Sequence, residues 1–224
     1  MLKKLSLMAI LGLILLVSSN ADLSAANNSG KVIFLKGSAK LIRSGSTITI
    51  SKGTTVLQGD TVVTSSGSTV IIRLVTGSKV KIKANSKLSF SKLSKNKATN
   101  LYLHKGGVFA KVTKLRGKQK FNVRSVSTLA GVRGTHFYMH TLKDNDIWLC
   151  VNEGNVEVSE SGSKSKVIVK PGKGISVKQN ENIEKPRAYK WTKKLNWKMS
   201  ADEGDVEDTV DLDGAYDILD RDYD

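Results

Sequence analysis

Three histidines and one cysteine are the obvious candidates for metal or nucleophilic chemistry in this 224-residue chain. His136 and His140 stand four apart inside Thr135 to His140, a run that reads as a β-strand. Four strand residues span about 13 Å, too far for one ion to bridge, so a shared metal would need a helix that the β pattern forbids. Both rings are expected on a surface or in a groove. His104, beside Lys105 and Gly106-Gly107, has no neighbouring partner and reads as a turn-side residue. Cys150 lies in the apolar run Ile147-Trp148-Leu149-Cys150-Val151, where a thiol is expected to be buried and unreactive. As the sole cysteine it excludes an intramolecular disulfide. Acidic residues are scarce before residue 202, so paired carboxylates for hydrolysis are hard to assemble. Neither a phosphate loop nor a G-x-S-x-G elbow occurs, and the reading is a non-enzymatic protein without a cofactor.

One further pattern lies near the C-terminus. Thr209, Asp211, Asp213, Gly214, Asp217 and Asp220 fall on positions 1, 3, 5, 6, 9 and 12 of a calcium loop. Thr at the first position and Asp at the last weaken it, and flanking helices are missing. A plain acidic tail is therefore the stronger reading, with calcium at Asp211, Asp213, Asp217 and Asp220 as the alternative.

The elements that must carry these residues are strands. From Lys31 the composition turns to Val, Ile, Thr and Ser, and prolines are absent until Pro171 and Pro186. Short β-rich runs follow: Lys31 to Phe34, Ala39 to Arg43, Thr47 to Ile50, Asp60 to Thr64, Thr69 to Leu74, Lys79 to Ile82 and Lys87 to Ser91. Asn100 to Leu103, Val108 to Val112, Lys120 to Val123, Thr135 to His140, Ile147 to Val151, Val156 to Ser159, Lys166 to Val169 and Gly174 to Val177 continue the series. In Lys79-Val80-Lys81-Ile82-Lys83 polar and apolar residues alternate, placing Val80 and Ile82 on a buried face and three lysines in water. About fifteen such runs without helical periodicity between them predict an all-β fold, an antiparallel two-sheet sandwich or jelly roll. Parallel α/β architecture is excluded because no loop can hold a crossover helix.

The ends differ from this body. Lys3 and Lys4, the apolar run Leu5 to Val17 and the small residues Ser24-Ala25-Ala26 read as a secretory signal peptide over 1–26. The expected mature start is near Asn27, in the periplasm or cell envelope, with no membrane span left after cleavage. The β domain then covers 27–178, followed by a basic linker over 179–201. In it Ala188, Trp191, Leu195 and Met199 fall at the spacing of a short amphipathic helix, an apolar stripe for packing on the β body or for a membrane surface. Residues 202–224 form an acidic tail expected to be disordered, with a net charge of −10 against +26 on residues 1–201.

Ordered motifs along the body resemble one known family, the FecR domain. Ala130-Gly131-Val132-Arg133-Gly134-Thr135-His136-Phe137 is similar to its A-G-V-R-G-T-x-F signature. Gly59-Asp60-Thr61-Val62 with Thr64 and Gly67 resembles its G-D-x-V-x-T-x-x-G opening, and Gly77-Ser78 with Asn85-Ser86 its hairpin. Glu153-Gly154-Asn155-Val156-Glu157-Val158 and Pro171-Gly172 resemble its closing strands. Thr76 stands where the family usually has Asp, and His136 where it usually has an acidic residue. The resemblance implies an envelope domain without the cytoplasmic segment that would hold a sigma factor. It also marks Gly131, Arg133, Gly134 and Thr135 as the binding candidates. A structural role competes there: the glycines would permit a tight approach to the next strand, with Arg133 semi-buried and paired to backbone carbonyls.

Lysines outnumber arginines 29 to 7, and point charges on flexible stems suit diffuse attraction to anionic surfaces. The expected function is a secreted binding module of the cell envelope, whose partner is an anionic polymer, a lipid head group or an envelope protein. The alternative is a ligand-sensing component of a FecR-type signalling system. Secretion argues against nucleic acid despite the basic charge.

Overall fold

The computed structural model describes residues 28–160, 165–179 and 181–207. The signal-peptide reading over 1–26 and the calcium pattern at Asp211, Asp213, Asp217 and Asp220 lie outside them. The chain passes back and forth between two sheets. β1 (Gly30–Lys36) is in the first, the hairpin β2 (Ala39–Arg43) and β3 (Ser46–Thr49) in the second, β4 (Thr55–Val56) in the first and β5 (Thr61–Thr64) in the second. β6 (Thr69–Leu74) and β7 (Lys79–Ile82) return to the first, β8 (Lys87–Lys92) and β9 (Ala98–Lys105) to the second, and β10 (Gly107–Lys111) to the first. Hairpins β11 (Lys120–Arg124) with β12 (Thr128–Val132) and β15 (Val156–Glu160) with β16 (Lys166–Val169) complete the second sheet. β13 (His136–Thr141) with β14 (Ile147–Glu153) and β17 (Lys173–Val177) with β18 (Arg187–Ala188) complete the first.

Among the described residues each sheet has nine strands, and the predicted all-β sandwich is borne out. All of the predicted runs are strands; β4, β12 and β18 are additional. The sheets are not wholly antiparallel. β9 and β11 pair in parallel, from Ala98 opposite Lys120 to Tyr102 opposite Arg124. The strand between them in sequence, β10, belongs to the other sheet, so the chain comes back to the second sheet running the same way. Inward residues such as Leu41, Val62, Ile72, Ile82, Leu88, Leu103, Val123, Phe137 and Leu149 are buried in one continuous core. Each such side chain stabilises the fold by roughly 1.5–3 kcal/mol.

Crossing between sheets brings backbones into close contact, and the same device handles it repeatedly. Gly106, at the β9–β10 passage, has φ +80° and faces Ser86, at the β7–β8 passage. A Cβ on Gly106 would lie 2.7 Å from the Ser86 Cα. The Ser86 hydroxyl accepts the Gly107 N–H at 2.9 Å and donates to the Ala84 carbonyl at 3.0 Å. Gly37 and Ser68 repeat the arrangement between β1–β2 and β5–β6, with the Ser68 hydroxyl accepting the Ser38 N–H at 2.9 Å. Gly154 and Thr135 form the third such pair. The Gly-Asp motif is structural as well. Asp60, 1% exposed, accepts Arg43 Nε at 2.8 Å and Nη2 at 2.6 Å, together with the Leu57 N–H at 2.7 Å. That fork ties β2 to the loop entering β5.

The first sheet has a second buried layer on its outer face. Phe109, Tyr138, Trp148 and Cys150 point away from the main core and are covered by Tyr189, Leu195 and Met199. The helix expected around 188–199 is instead a 3₁₀ helix over Lys190–Lys194 within an irregular strap. Tyr189, Leu195 and Met199 of the strap are held by contact with the sheet rather than by helical periodicity. The acidic segment begins inside this strap: Val206 is buried, and Glu207 pairs with Lys36.

Two substitutions test these constraints by chemical denaturation. Gly106→Ala should lower stability by about 2–3 kcal/mol, because the methyl meets Ser86 and the positive φ strains any side chain. Asp60→Ala should cost a similar roughly 2–3 kcal/mol, because the Leu57 N–H and the Arg43 fork lose their acceptor.

Candidate functional site

The signature residues sit at the passage from β12 to β13. Gly131 lies within β12 in ordinary strand geometry, and a Cβ there would meet Asn122 Oδ1 at 3.6 Å and the Glu157 carbonyl at 3.9 Å, normal contacts. Of the two glycines expected to permit a close approach, Gly134 has the positive φ, +70°, but an added Cβ there would stay 3.4 Å from the Lys114 Cα; the close contact is at Gly154, whose added Cβ would lie 2.5 Å from the Gly134 carbonyl oxygen. Arg133 is not semi-buried or paired, as the sequence suggested. It is exposed, with no hydrogen bond or ion pair among the described residues. Arg133 follows the last residue of β12 and precedes β13, outside both ladders, so its side chain leaves the corner toward water.

Around Arg133 the loops after β6 and β10 and the end of β14 converge on a groove of about 450 Å³. Lys79, Lys111, Lys114 and Arg133 line it with Thr135 and a single acid, Glu153. None of the four cations is ion-paired with Glu153 or any other described residue. Thr135 is 2% exposed, and its hydroxyl has no partner among the described residues. The matching hydroxyls of Ser68 and Ser86 each hold a backbone N–H. Sequence reasoning found Arg133, Gly134 and Thr135 through the motif but missed Lys79, Lys111 and Lys114. Those lysines come from separate strands and loops, and no local signal brings them together. A second hollow of about 460 Å³ on the second sheet, lined by Tyr102, Arg124, Val126, Leu129 and Glu160, has no comparable surplus of charge.

The histidines stand elsewhere than expected. His136 and His140 are both buried, on the outer face of the first sheet beneath the strap, because residues 189–207 cover the face that β13 would otherwise show to water. His136 stacks edge-on against Trp197 with 5.0 Å between ring centroids. Burial, with help from Lys111 and Lys81, pushes its pKa down to about 3. His140 Nδ1 and the Tyr138 hydroxyl lie 3.1 Å apart. His104 is in β9 rather than a turn, and its Nε2 and the Ser89 hydroxyl lie 2.7 Å apart. Lys81, expected in water, is 1% exposed under the strap. Its ammonium donates to the carbonyls of Asn196, Lys198 and Val206 and lies 4.2 Å from the centroid of the Phe109 ring. Cys150 is buried. Among the described residues there is no group of three His, Cys, Asp or Glu placed to hold a metal ion.

The fold and the site together define a two-sheet β domain whose distinctive surface is a cationic groove beside a glycine-rich corner. Residues 60–157 match the family model described as FecR protein, so the resemblance carried by the motifs is borne out over that stretch. The match takes in β5 to β14, the start of β15 and the whole groove. No curated protein matches the chain. Two crystal structures of a candidate anti-sigma factor from Parabacteroides distasonis, at 1.65 and 2.50 Å resolution, are similar at 21% identity with a TM-score of 0.47. Each covers 55% of this chain, and the chain spans 57% and 56% of theirs, little more than half their length.

Burial of His136 has a pH signature. The unfolded side chain takes a proton near pH 6.5, whereas the folded one resists it down to about 3. Its contribution is therefore complete above pH 6.5 and is lost as pH falls toward 3, at up to about 1.4 kcal/mol per pH unit. His136→Gln should flatten the fall in melting temperature between pH 7 and pH 4, measured against the parent protein in the same buffers.

Proposed function

We propose that the chain is a non-enzymatic binding module of the cell envelope that engages an anionic partner, a polymer or a head-group surface, through the basic face of its FecR domain. The carrying observation is the sorting of charge: +26 on residues 1–201, with most of that surplus outside the ion pairs among the described residues, which engage Lys36, Arg43, Lys166, Lys178 and Arg187. Exposed lysines on flexible stems attract anionic surfaces over a Debye length without demanding one geometry. The signal-peptide pattern over 1–26 supports export across the inner membrane to the periplasm or envelope. A second reading, a ligand-sensing component of FecR-type signalling, is favoured by the family match over 60–157.

Binding to anionic vesicles and to acidic envelope glycans should weaken steeply from low to high ionic strength; affinity independent of salt overturns the electrostatic reading. Recovery of one membrane protein after mild crosslinking in the intact envelope, at any salt, would favour the sensing role instead. The acidic tail should oppose the body. Because Val206 and Glu207 hold the strap to Lys81 and Lys36, the truncation that tests this removes only 208–224, which carries a net charge of −6. Polyanion affinity should rise severalfold on that deletion with the melting temperature unchanged.

A further inference from the structure

We infer that the groove at the β12–β13 corner is a discrete binding site for an oxyanion, a phosphate or carboxylate borne on a polar body about the size of a sugar. This deepens the envelope-binding reading and rests on it. Diffuse surface charge explains attraction to a polyanion but not a preference for one group. Three features together mark the groove, and the third separates it from a hollow of similar size lined by Lys31, Lys52, Arg73 and Asp202.

The first is convergence. Lys79 from β7, Lys111 from β10, Lys114 from the following loop and Arg133 from the signature corner face one hollow of about 450 Å³. That volume falls in the range of small-ligand sites, about 300–1,000 Å³. The second is that these charges are unsatisfied. All four lie without an ion pair among the described residues, although Glu153 lines the same hollow. Like charges gathered around one space repel one another, and an oxyanion placed between them removes that cost while accepting the planar fork of Arg133. Lysines supply point charges whose direction is adjustable, and the single Arg supplies the fork that reads a two-oxygen edge.

The third feature is the floor. Gly134, whose φ of +70° strains any side chain, lines the hollow without filling it, and Gly154 packs behind it so closely that an added Cβ would lie 2.5 Å from the Gly134 carbonyl oxygen. Thr135, beneath it, is the one corner hydroxyl of the three that holds no N–H among the described residues. The positive field extends inward as well, since Lys111 is among the groups that keep His136 neutral. Glu153 sets a limit on selectivity: it repels a ligand carrying negative charge at both ends and favours one with hydroxyls on the side facing it.

The test uses the protein without its first 26 residues and three probes: inorganic phosphate, a hexose 6-phosphate and a single hexuronic acid, titrated by calorimetry at fixed ionic strength. The hexose phosphate or the hexuronic acid should bind more tightly than inorganic phosphate, and which of them does so identifies the source of the oxyanion. Arg133→Ala and Lys114→Ala should each weaken the preferred probe at least 5-fold, and Arg133→Lys should recover only part of the loss because the fork is missing. The control is Lys40→Ala with Lys92→Ala, exposed lysines on the second sheet. The control should leave the small probes unaffected while lowering affinity for anionic vesicles. Arg133 is exposed and unpaired, so its variants should melt at the parent temperature, which separates lost binding from lost fold. Equal losses in groove and control variants, or no binding of any of the three probes, overturn the site. If vesicle binding remains salt-sensitive in that case, the broader electrostatic function survives without the groove; if it too is absent, both readings fall together.

Discussion

Passing a chain between two stacked sheets forces backbone against backbone at every corner, and this close approach governs the rest of the molecule. Where Gly106 meets Ser86 there is no room for a Cβ, and the serine hydroxyl takes up the N–H that the crossing would leave buried and unsatisfied. Gly37 with Ser68 solves the same problem at another corner, and Gly154 with Thr135 repeats the close approach without the N–H bond. The strands between them have only to alternate apolar and polar residues. A lost corner would let two ladders slide, and a one-residue slip turns every inward side chain to the opposite face.

The outer face of the first sheet follows a different logic. Phe109, Tyr138 and Trp148 alternate with core residues, so on an isolated sheet they would be exposed to water. The strap of residues 189–207 covers them. Lys81 holds it by giving its ammonium protons to the carbonyls of Asn196, Lys198 and Val206, which an irregular chain cannot satisfy for itself. A buried cation here does the work of a strand pairing. His136 stays neutral beside it, because burial and two nearby lysines all disfavour its charge.

Charge and fold meet at one corner. The corner that needs Gly134 for its positive φ and Gly154 for its close packing also leaves Arg133 exposed at the rim of a basic groove. A sequence signature can thus have two causes at adjacent positions, with the glycines required by sterics and the arginine placed outward on the scaffold they make. Asp60 in the earlier motif has only the structural cause, since its carboxylate is consumed by Arg43 and Leu57.

Strand content, the two-sheet class and the motifs of the FecR region were legible in the order of residues, because period-two alternation and turn glycines are local properties. Local rules failed wherever a distant segment intervened. Lys81, His136 and His140 occupy the outward positions that alternation assigns to them, yet they are buried because residues more than fifty positions later lie over them. The apolar stripe of 188–199 was visible, but its conformation was set by the surface it packs on and not by its own spacing. The parallel pairing of β9 with β11 came from β10 leaving for the other sheet. Motif reading pointed to Arg133, Gly134 and Thr135; the lysines that complete the groove are neighbours only across strands and loops, a proximity that tertiary structure alone creates.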